Sequence, residues 1–426
     1  MNSTKKFCPE CGLENVKEAK FCKSCGKAFR DVQQDSSAKS TDGSTKAELK
    51  SLEEALIAKN KSKIEQIGLE YTMELQKVQS IDTFKNKLTD LENLCMKYKD
   101  DYIPTGENIK NEKYYIPALG YQLLAHRYSE KKDLAKAEEA IGKALELCRE
   151  AKDNHLLYGI LDNVAGLARQ NKNLDKAIKH YEEAVNLEIE SFVKEEERQY
   201  MIFQINMQYR ETLLESENTD KIKSVLNEAK SKMDGDFDPF EYTCNAVYAS
   251  HTMIRIRENP EDIIGYLTDA INIGILEKFP KPLVTALYLM GTTQMNVGHS
   301  VQALETCKKA LGGAKSLGDA GMAMMLQQML QHLPNQIVQE FGPVIERRGD
   351  GYGLRMANPP EAITQIQRLY DEVDIKSCLK LISKYALINK PDKSKFLIDK
   401  CGKLYDRYKD KEGKKKLKEL KKSLSL

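Results

Sequence analysis

Tryptophan is absent from the 426 residues, which removes one common anchor of interfaces and of base-stacking sites. No uncharged apolar run is long enough to span a bilayer, and no apolar leader stretch stands before the first cysteine pair, because Met1 to Lys6 runs directly into it. An excess of one charge is also missing: 66 basic side chains face 64 acidic ones, a net charge of +2. General attraction to nucleic acid or to a membrane surface is therefore not indicated. Signatures of catalysis are lacking too. The six histidines (His126, His155, His180, His251, His299, His332) show no H-E-x-x-H spacing, and there is no P-loop. Gly349, Gly351 and Gly353 lack the strand-loop-helix setting of a dinucleotide site. The expectation is a chain with no enzymatic activity, residing in the cytoplasm.

Four cysteines near the N-terminus are the most informative residues present. Cys8 and Cys11 form one C-x-x-C pair and Cys22 and Cys25 a second, ten residues on. This spacing brings four thiolates within reach of one metal ion, and zinc accepts four thiolates tetrahedrally. A glycine follows each pair (Gly12, Gly26), apt for a tight turn. Two disulfides are the rival reading. The other six cysteines (Cys95, Cys148, Cys244, Cys307, Cys378, Cys401) are scattered singly in helical patterns, as reduced buried thiols are, which favours zinc. With four sulfur ligands and no open position, the single zinc is structural. The segments read FCPECG from Phe7 and FCKSCG from Phe21, and here the chain resembles the short zinc-ribbon module.

Residues 1–30 are thus read as a zinc ribbon too small to bury a core without its metal. Residues 31–45 are polar and Ser-rich, the composition of a flexible linker. From Lys46 the pattern is helical. Leu49, Leu52 and Leu56 open one apolar stripe, with Ser44 or Thr45 available as N-cap. Ile81, Phe84, Leu88, Leu91, Leu94 and Cys95 make another at helical spacing. Pro104 and Gly106 interrupt the pattern.

A repeat follows. Two helical hairpins overlay at an offset of 40, pairing Tyr121 with Leu161, Ala125 with Ala165, Ala137 with Ala177 and Ala144 with Ala184. Alanine at these sites lets helices cross closely. Weaker copies place Ile222, Ile263 and Ala303 at the second-helix position of three more units, with steps of 45, 41 and 40, and Gly291 at a close-crossing site. On these residues the chain resembles the tetratricopeptide (TPR) family, and its second unit looks like the longer repeats of kinesin light chains. The implied fold is all-α: a TPR-like helical-hairpin superhelix carrying a zinc ribbon on a linker. The expected layout is N-terminal helices over 46–112, the array over 113–333, an irregular segment over 334–360 and C-terminal helices with a Lys-rich tail over 361–426. Within the irregular segment, Val344–Arg347 and Tyr352–Met356 read as two short strands around Gly349-Asp350-Gly351. In the last part, Ile363, Ile366, Leu369 and Tyr370 share one helical face.

The resemblance implies a concave face lined by the first helices of the hairpins. Asn163 stands where TPR peptide binders of this kind place an asparagine, whose amide both donates and accepts. Gln122, His126, Asp162, Arg169 and Gln204 are its neighbours on that face. The implied function is that of an adaptor or scaffold gripping a protein or peptide segment. The basic residues that clamp a peptide carboxylate in some relatives are not visible, since Gln122 and His126 occupy their places. Met322, Met324, Met325 and Met329 form a flexible apolar face for which ordinary packing is the simpler account. The alternative function is nucleic-acid association through the ribbon and the tail, where Lys409 to Lys422 carries a net +5. A membrane partner is not expected.

The cysteine spacing generates a direct test. The purified full chain should hold close to one zinc by elemental analysis, and Cys8→Ser with Cys11→Ser should remove it. A double variant that keeps its zinc would refute the assignment.

Overall fold

The structure is a computed structural model and describes residues 5–7, 14–16, 42–57, 70–97 (apart from 72, 76 and 79), 112–151, 154–187, 195–341, 345–348, 351–354 and 361–424. Two short antiparallel hairpins are the strands among them. β1 (Lys5–Phe7) pairs with β2 (Glu14–Val16), and β3 (Ile345–Arg348) pairs with β4 (Gly351–Leu354), Arg348 opposite Gly351. The second hairpin begins and ends within a residue or two of the strands expected around Gly349-Asp350-Gly351. Cys8, Cys11, Cys22 and Cys25 lie outside the described residues, as does the Asp100–Asn111 break.

Everything else described is helical or turn. Residues 36–222 form one compact body. It contains α1 (Asp42–Ile57), α2 (Ile81–Lys97), α3 (Glu112–Glu130), α4 (Leu134–Ala151), α5 (Asn154–Gln170), α6 (Leu174–Val185) and α7 (Glu195–Glu215), and the start of α8 (Thr219–Asp234). Residues 223–426, grouped with 1–35, form the second body. It contains α9 (Pro239–Ile256), α10 (Pro260–Glu277), α11 (Pro280–Asn296), α12 (Ser300–Ser316), α13 (Ala320–Phe341), α14 (Glu361–Leu387), α15 (Pro391–Arg407) and α16 (Lys411–Ser423). The stretch 113–333, read from its repeats as one array, spans both bodies. Helix α1 begins at Asp42, so the last residues of the segment read as linker are helical, and Ser44 and Thr45 lie within the helix rather than capping it.

One turn design recurs. Three residues separate α3 from α4, α5 from α6, α7 from α8, α9 from α10, α11 from α12, α12 from α13, α14 from α15 and α15 from α16. Each turn holds one residue at positive φ: Lys132, Lys172, Glu217, Arg257, Gly298, Gly318, Asn389 and Lys409, all between 54° and 75°. The left-handed residue lets the next N–H reach back to a carbonyl of the finished helix. Asp133 N donates to Tyr128 O (2.9 Å), Asn173 N to Ala168 O (2.8 Å) and Asp410 N to Tyr405 O (2.9 Å). The third turn residue then caps the following helix. Asp133, Asn173, Asn218, Asn259, Asp319 and Asp410 each accept a backbone N–H from the first turn of the new helix. Such a cap contributes about 1 kcal/mol. Each of these six three-residue turns thus provides hydrogen-bond partners for both flanking helix ends.

Packing follows the repeat. Ala125, Ala137, Ala165, Ala177 and Ala303 are all buried, as are Cys307 and Ala310. In the first body, Phe84, Leu88, Leu91 and Cys95 form the buried stripe of α2, with Ile81 and Leu94 partly buried against the same core. All six singly placed cysteines are buried and outside any disulfide. In the second body, Met322 and Met329 pack on the core while Met324 and Met325 are exposed, so the methionines do not form one covered face. Leu369 is likewise exposed and leaves the stripe that Ile363 begins.

Within the second body, α14 and α15 are held to α10 through polar groups. Asn272 Nδ2 donates to Asp374 Oδ1 (2.8 Å) and Ser377 Oγ (3.0 Å), and Lys400 Nζ donates to Asn272 Oδ1 (2.6 Å). Lys380 Nζ reaches Asp269 Oδ2 at 3.1 Å and the Tyr242 hydroxyl at 2.6 Å, while that hydroxyl donates to Asp269 (2.7 Å). Asp371, buried, accepts from the Tyr408 hydroxyl and the Arg407 guanidinium. Each buried carboxylate here has a cation or a hydroxyl beside it, so removing one partner would strand the other.

Gly291 on α11 faces Cys307 on α12, and a Cβ at Gly291 would sit 2.5 Å from the Cys307 sulfur. Gly265 on α10 has open space where a Cβ would go. Gly291→Ala should therefore destabilise the chain by about 1–3 kcal/mol through overpacking. Gly265→Ala should stabilise it by about 0.5–1 kcal/mol by restricting the unfolded chain. Urea denaturation of the two variants checks the pair. Shifts in the same direction would contradict the close crossing.

Candidate functional site

A concavity of about 630 Å³ opens in the first body, lined by α3, α5 and α7, with Ile141 of α4, Tyr181 of α6 and Met73 contributing. Helical spacing decides which side chains reach it. On α3 these are Gln122, His126 and Ser129, at i, i+4 and i+7. On α5 they are Asn163, Gly166 and Gln170, at i, i+3 and i+7, with Asp162 beside them. On α7 they are Gln204 and Gln208, one turn apart. Gln122, His126, Asp162, Asn163 and Gln204, singled out from the sequence, therefore share one concavity.

Arg169 is placed elsewhere. Its guanidinium donates to both oxygens of Glu215 (Nε at 2.8 Å, Nη2 at 2.6 Å), to Glu211 (3.2 Å) and to Gln208 Oε1 (3.0 Å). Arg169 thus ties α5 to α7 and is not among the groups lining the concavity. Gln170, Gln208, Tyr181 and Met73 line it without having been singled out. The first two continue the helical faces of Asn163 and Gln204, a signal already present in the 3.6-residue period.

The lining is rich in amides and holds one carboxylate, Asp162. Gln122, Asn163, Gln170, Gln204 and Gln208 offer both donors and acceptors. Asn163 is exposed, and its Nδ2 donates to Gly159 O one turn back (2.7 Å), leaving its carbonyl oxygen and one N–H for another partner. His126 is exposed, with Nε2 3.7 Å from Glu130. Leu119 and Leu123 add apolar surface. A wall of side-chain amides over an apolar base suits an extended backbone, whose N–H and C=O groups such amides satisfy regardless of sequence.

Asp162 is the carboxylate of this lining, and no lysine or arginine is part of it. Burial pushes its carboxyl above the usual range, and a hydrogen bond from Tyr181 partly offsets that. Tyr181 and Tyr158 on either side are themselves raised, first by their own burial and then by the Asp162 charge. The six buried cysteines lie outside this lining.

Residues 118–150, covering most of α3 and α4, match the tetratricopeptide repeat. No curated protein matches the chain by sequence. Among solved structures, a Rap protein complexed with competence and sporulation factor aligns over 86% of this chain and 99% of its own, at 11% identity and a TM-score of 0.35. The apo form of the quorum sensor NprR from B. thuringiensis aligns over 86% and 99%, at 13% identity and a TM-score of 0.35. The TPR2AB domain of yeast Sti1 in its complex with pHSP90 aligns over 60% and 95%, at 14% identity and a TM-score of 0.20. The chain's own helices form hairpins of the TPR kind. Among the described residues no helix is long and apolar enough to cross a membrane.

The raised Asp162 carboxyl has a consequence for stability. The native state holds this proton more tightly than the unfolded chain, so ionising Asp162 disfavours folding. The penalty is absent below about pH 4, the ordinary carboxylate range, and complete once pH exceeds the raised native value. Asp162→Asn should accordingly melt above the parent chain at pH 7, with the difference closing toward pH 4. A variant melting below the parent at pH 7 would contradict the burial argument.

Proposed function

We propose that the chain is a non-enzymatic adaptor that holds a segment of a partner protein or peptide in the concave face of its first body. The observation that carries this reading is the shared concavity of Gln122, Asn163, Gln204 and Gln208, which presents amides from three helices to one open space of about 630 Å³. An extended segment lying across α3, α5 and α7 would find hydrogen-bond partners for its backbone and apolar contact with Leu119, Leu123 and Met73. The TPR match over 118–150 is consistent with such a role.

The four N-terminal cysteines fit one structural zinc by their donor set, with Cys8, Cys11, Cys22 and Cys25 as the ligands. The ion would fix the fold of a small module and take no part in chemistry. The balance of charge and the buried cysteines outside any disulfide fit a cytoplasmic protein.

A second reading has its own observation. Lys411, Lys415, Lys418 and Lys422 of α16 are exposed and fall on one helical face, whereas Lys414 and Lys416 are paired with Asp406 and Glu412. A row of unpaired lysines suits a polyanion, and RNA binding that weakens steeply with salt would favour it.

The adaptor reading is tested by pull-down from lysate with the full chain. Asn163→Ala should lower recovery of bound partners about three- to tenfold, as expected for one or two lost hydrogen bonds. Gly142→Ala, on α4 and outside the concavity, should leave recovery unchanged. Equal recovery by all three proteins would set the reading aside.

A further inference from the structure

The concavity reads backbone through amides, and amides alone select no sequence. Discrimination falls to whichever lining group carries charge. That group is Asp162, half-buried on α5. A carboxylate offers about four acceptor sites, and the Tyr181 hydroxyl takes one. Among the described residues no lysine or arginine pairs with it. Arg169, two turns further along the same helix, is already engaged by Glu211 and Glu215. Of the charges acting through space on the Tyr181 hydroxyl, that of Asp162 weighs more than those of Arg169, Glu211 or Glu215. The contrast with the second body is direct: there Asp269 has Lys380, Asp371 has Arg407 and Asp374 has Lys400.

Resting on the reading that this groove binds a polypeptide segment, we propose that the segment is chosen by a cationic group, an ammonium or a guanidinium, seated against the Asp162 carboxylate. A ligand crossing α5 excludes water from Asp162. If it brings no positive charge, the carboxylate is buried further without a partner, which is costly. If it brings one, the same burial strengthens a charge-assisted hydrogen bond. The sign is thereby set against acidic segments. Above its raised native pKa, the ionised carboxylate also lowers the stability of the empty chain, and a cationic ligand removes that strain on binding.

The experiment is a display selection of random twelve-residue peptides on the immobilised full chain, followed by affinity measurement of synthetic winners. Peptides whose binding is weakened by Asn163→Ala are the groove binders. They should carry a lysine or arginine at one register, or depend on a free α-amine; N-acetylation separates the two sources. Replacing the lysine by norleucine, or the arginine by citrulline, should weaken binding to the parent chain about tenfold. The same replacement should change binding to Asp162→Asn less than about twofold. The ligand-side replacement keeps the test informative even if the protein variant is perturbed. Groove binders with no basic preference, or an undiminished norleucine effect in Asp162→Asn, would overturn the inference while leaving the adaptor reading intact. A selection giving no Asn163-sensitive binder would overturn the adaptor reading itself, and the inference with it.

Discussion

The three-residue turn is the constraint on which the rest depends. A helix end leaves four backbone groups without intrahelical partners, and two helices meeting at a hairpin leave eight. Here a left-handed residue returns the chain's N–H groups to the first helix, and an Asp or Asn beside it usually caps the second. With each end satisfied in so few residues, consecutive helices have no length in which to diverge. They must lie antiparallel and in contact, and the small residues at positions such as Ala125, Ala165 and Gly291 set how near they come. The design tolerates strain: Lys132, Lys172, Glu217 and Arg257 hold positive φ without being glycine, at about 1–2 kcal/mol each.

Repeating that hairpin places the first helices α3, α5 and α7 along the same concavity in the first body. Their exposed faces then converge, and an amide-rich lining with one carboxylate results where each helix alone would present an ordinary wet surface. The charged side chains near it are mostly matched among themselves. Arg169 is drawn into a four-way contact with Gln208, Glu211 and Glu215, which pins α5 to α7 and clears the lining of positive charge. Among the described residues, Asp162 has a hydroxyl and no lysine or arginine beside it. The second body follows another plan, in which α14 and α15 are docked on α10 by partly buried ion pairs and amide contacts rather than by an apolar seam alone.

Much of this was legible beforehand, for physical reasons. Helical period and alanine spacing are local, so the hairpins, their offset of 40 and the buried stripe of α2 could be read directly. The groove face was legible in part: Gln122, Asn163 and Gln204 follow from period and repeat register together. Other details were not. Five of the eight left-handed turn residues are Lys, Glu or Arg, which carry no sign of left-handed backbone, so turn geometry was hidden there even where the break was plain; only Gly298, Gly318 and Asn389 signalled it. Met322 and Met329 could not be separated from Met324 and Met325 by spacing, because burial at the end of an array depends on which neighbour comes next.

What the amino-acid order determined by itself is therefore the helical class, the hairpin repeat, the pairing of four cysteines in two C-x-x-C motifs and most of the side chains facing the concavity on α3, α5 and α7. These rest on interactions within a few residues of the chain or on chemistry carried by residue type. Only the tertiary structure decided that Arg169 is bound to Glu211 and Glu215, that Asp162 stands without a cation, and that α14 is held by Asp269 and Asn272. Each of those outcomes joins residues on different helices, dozens to more than a hundred positions apart, and no periodicity in a single strand of sequence says which charges will meet.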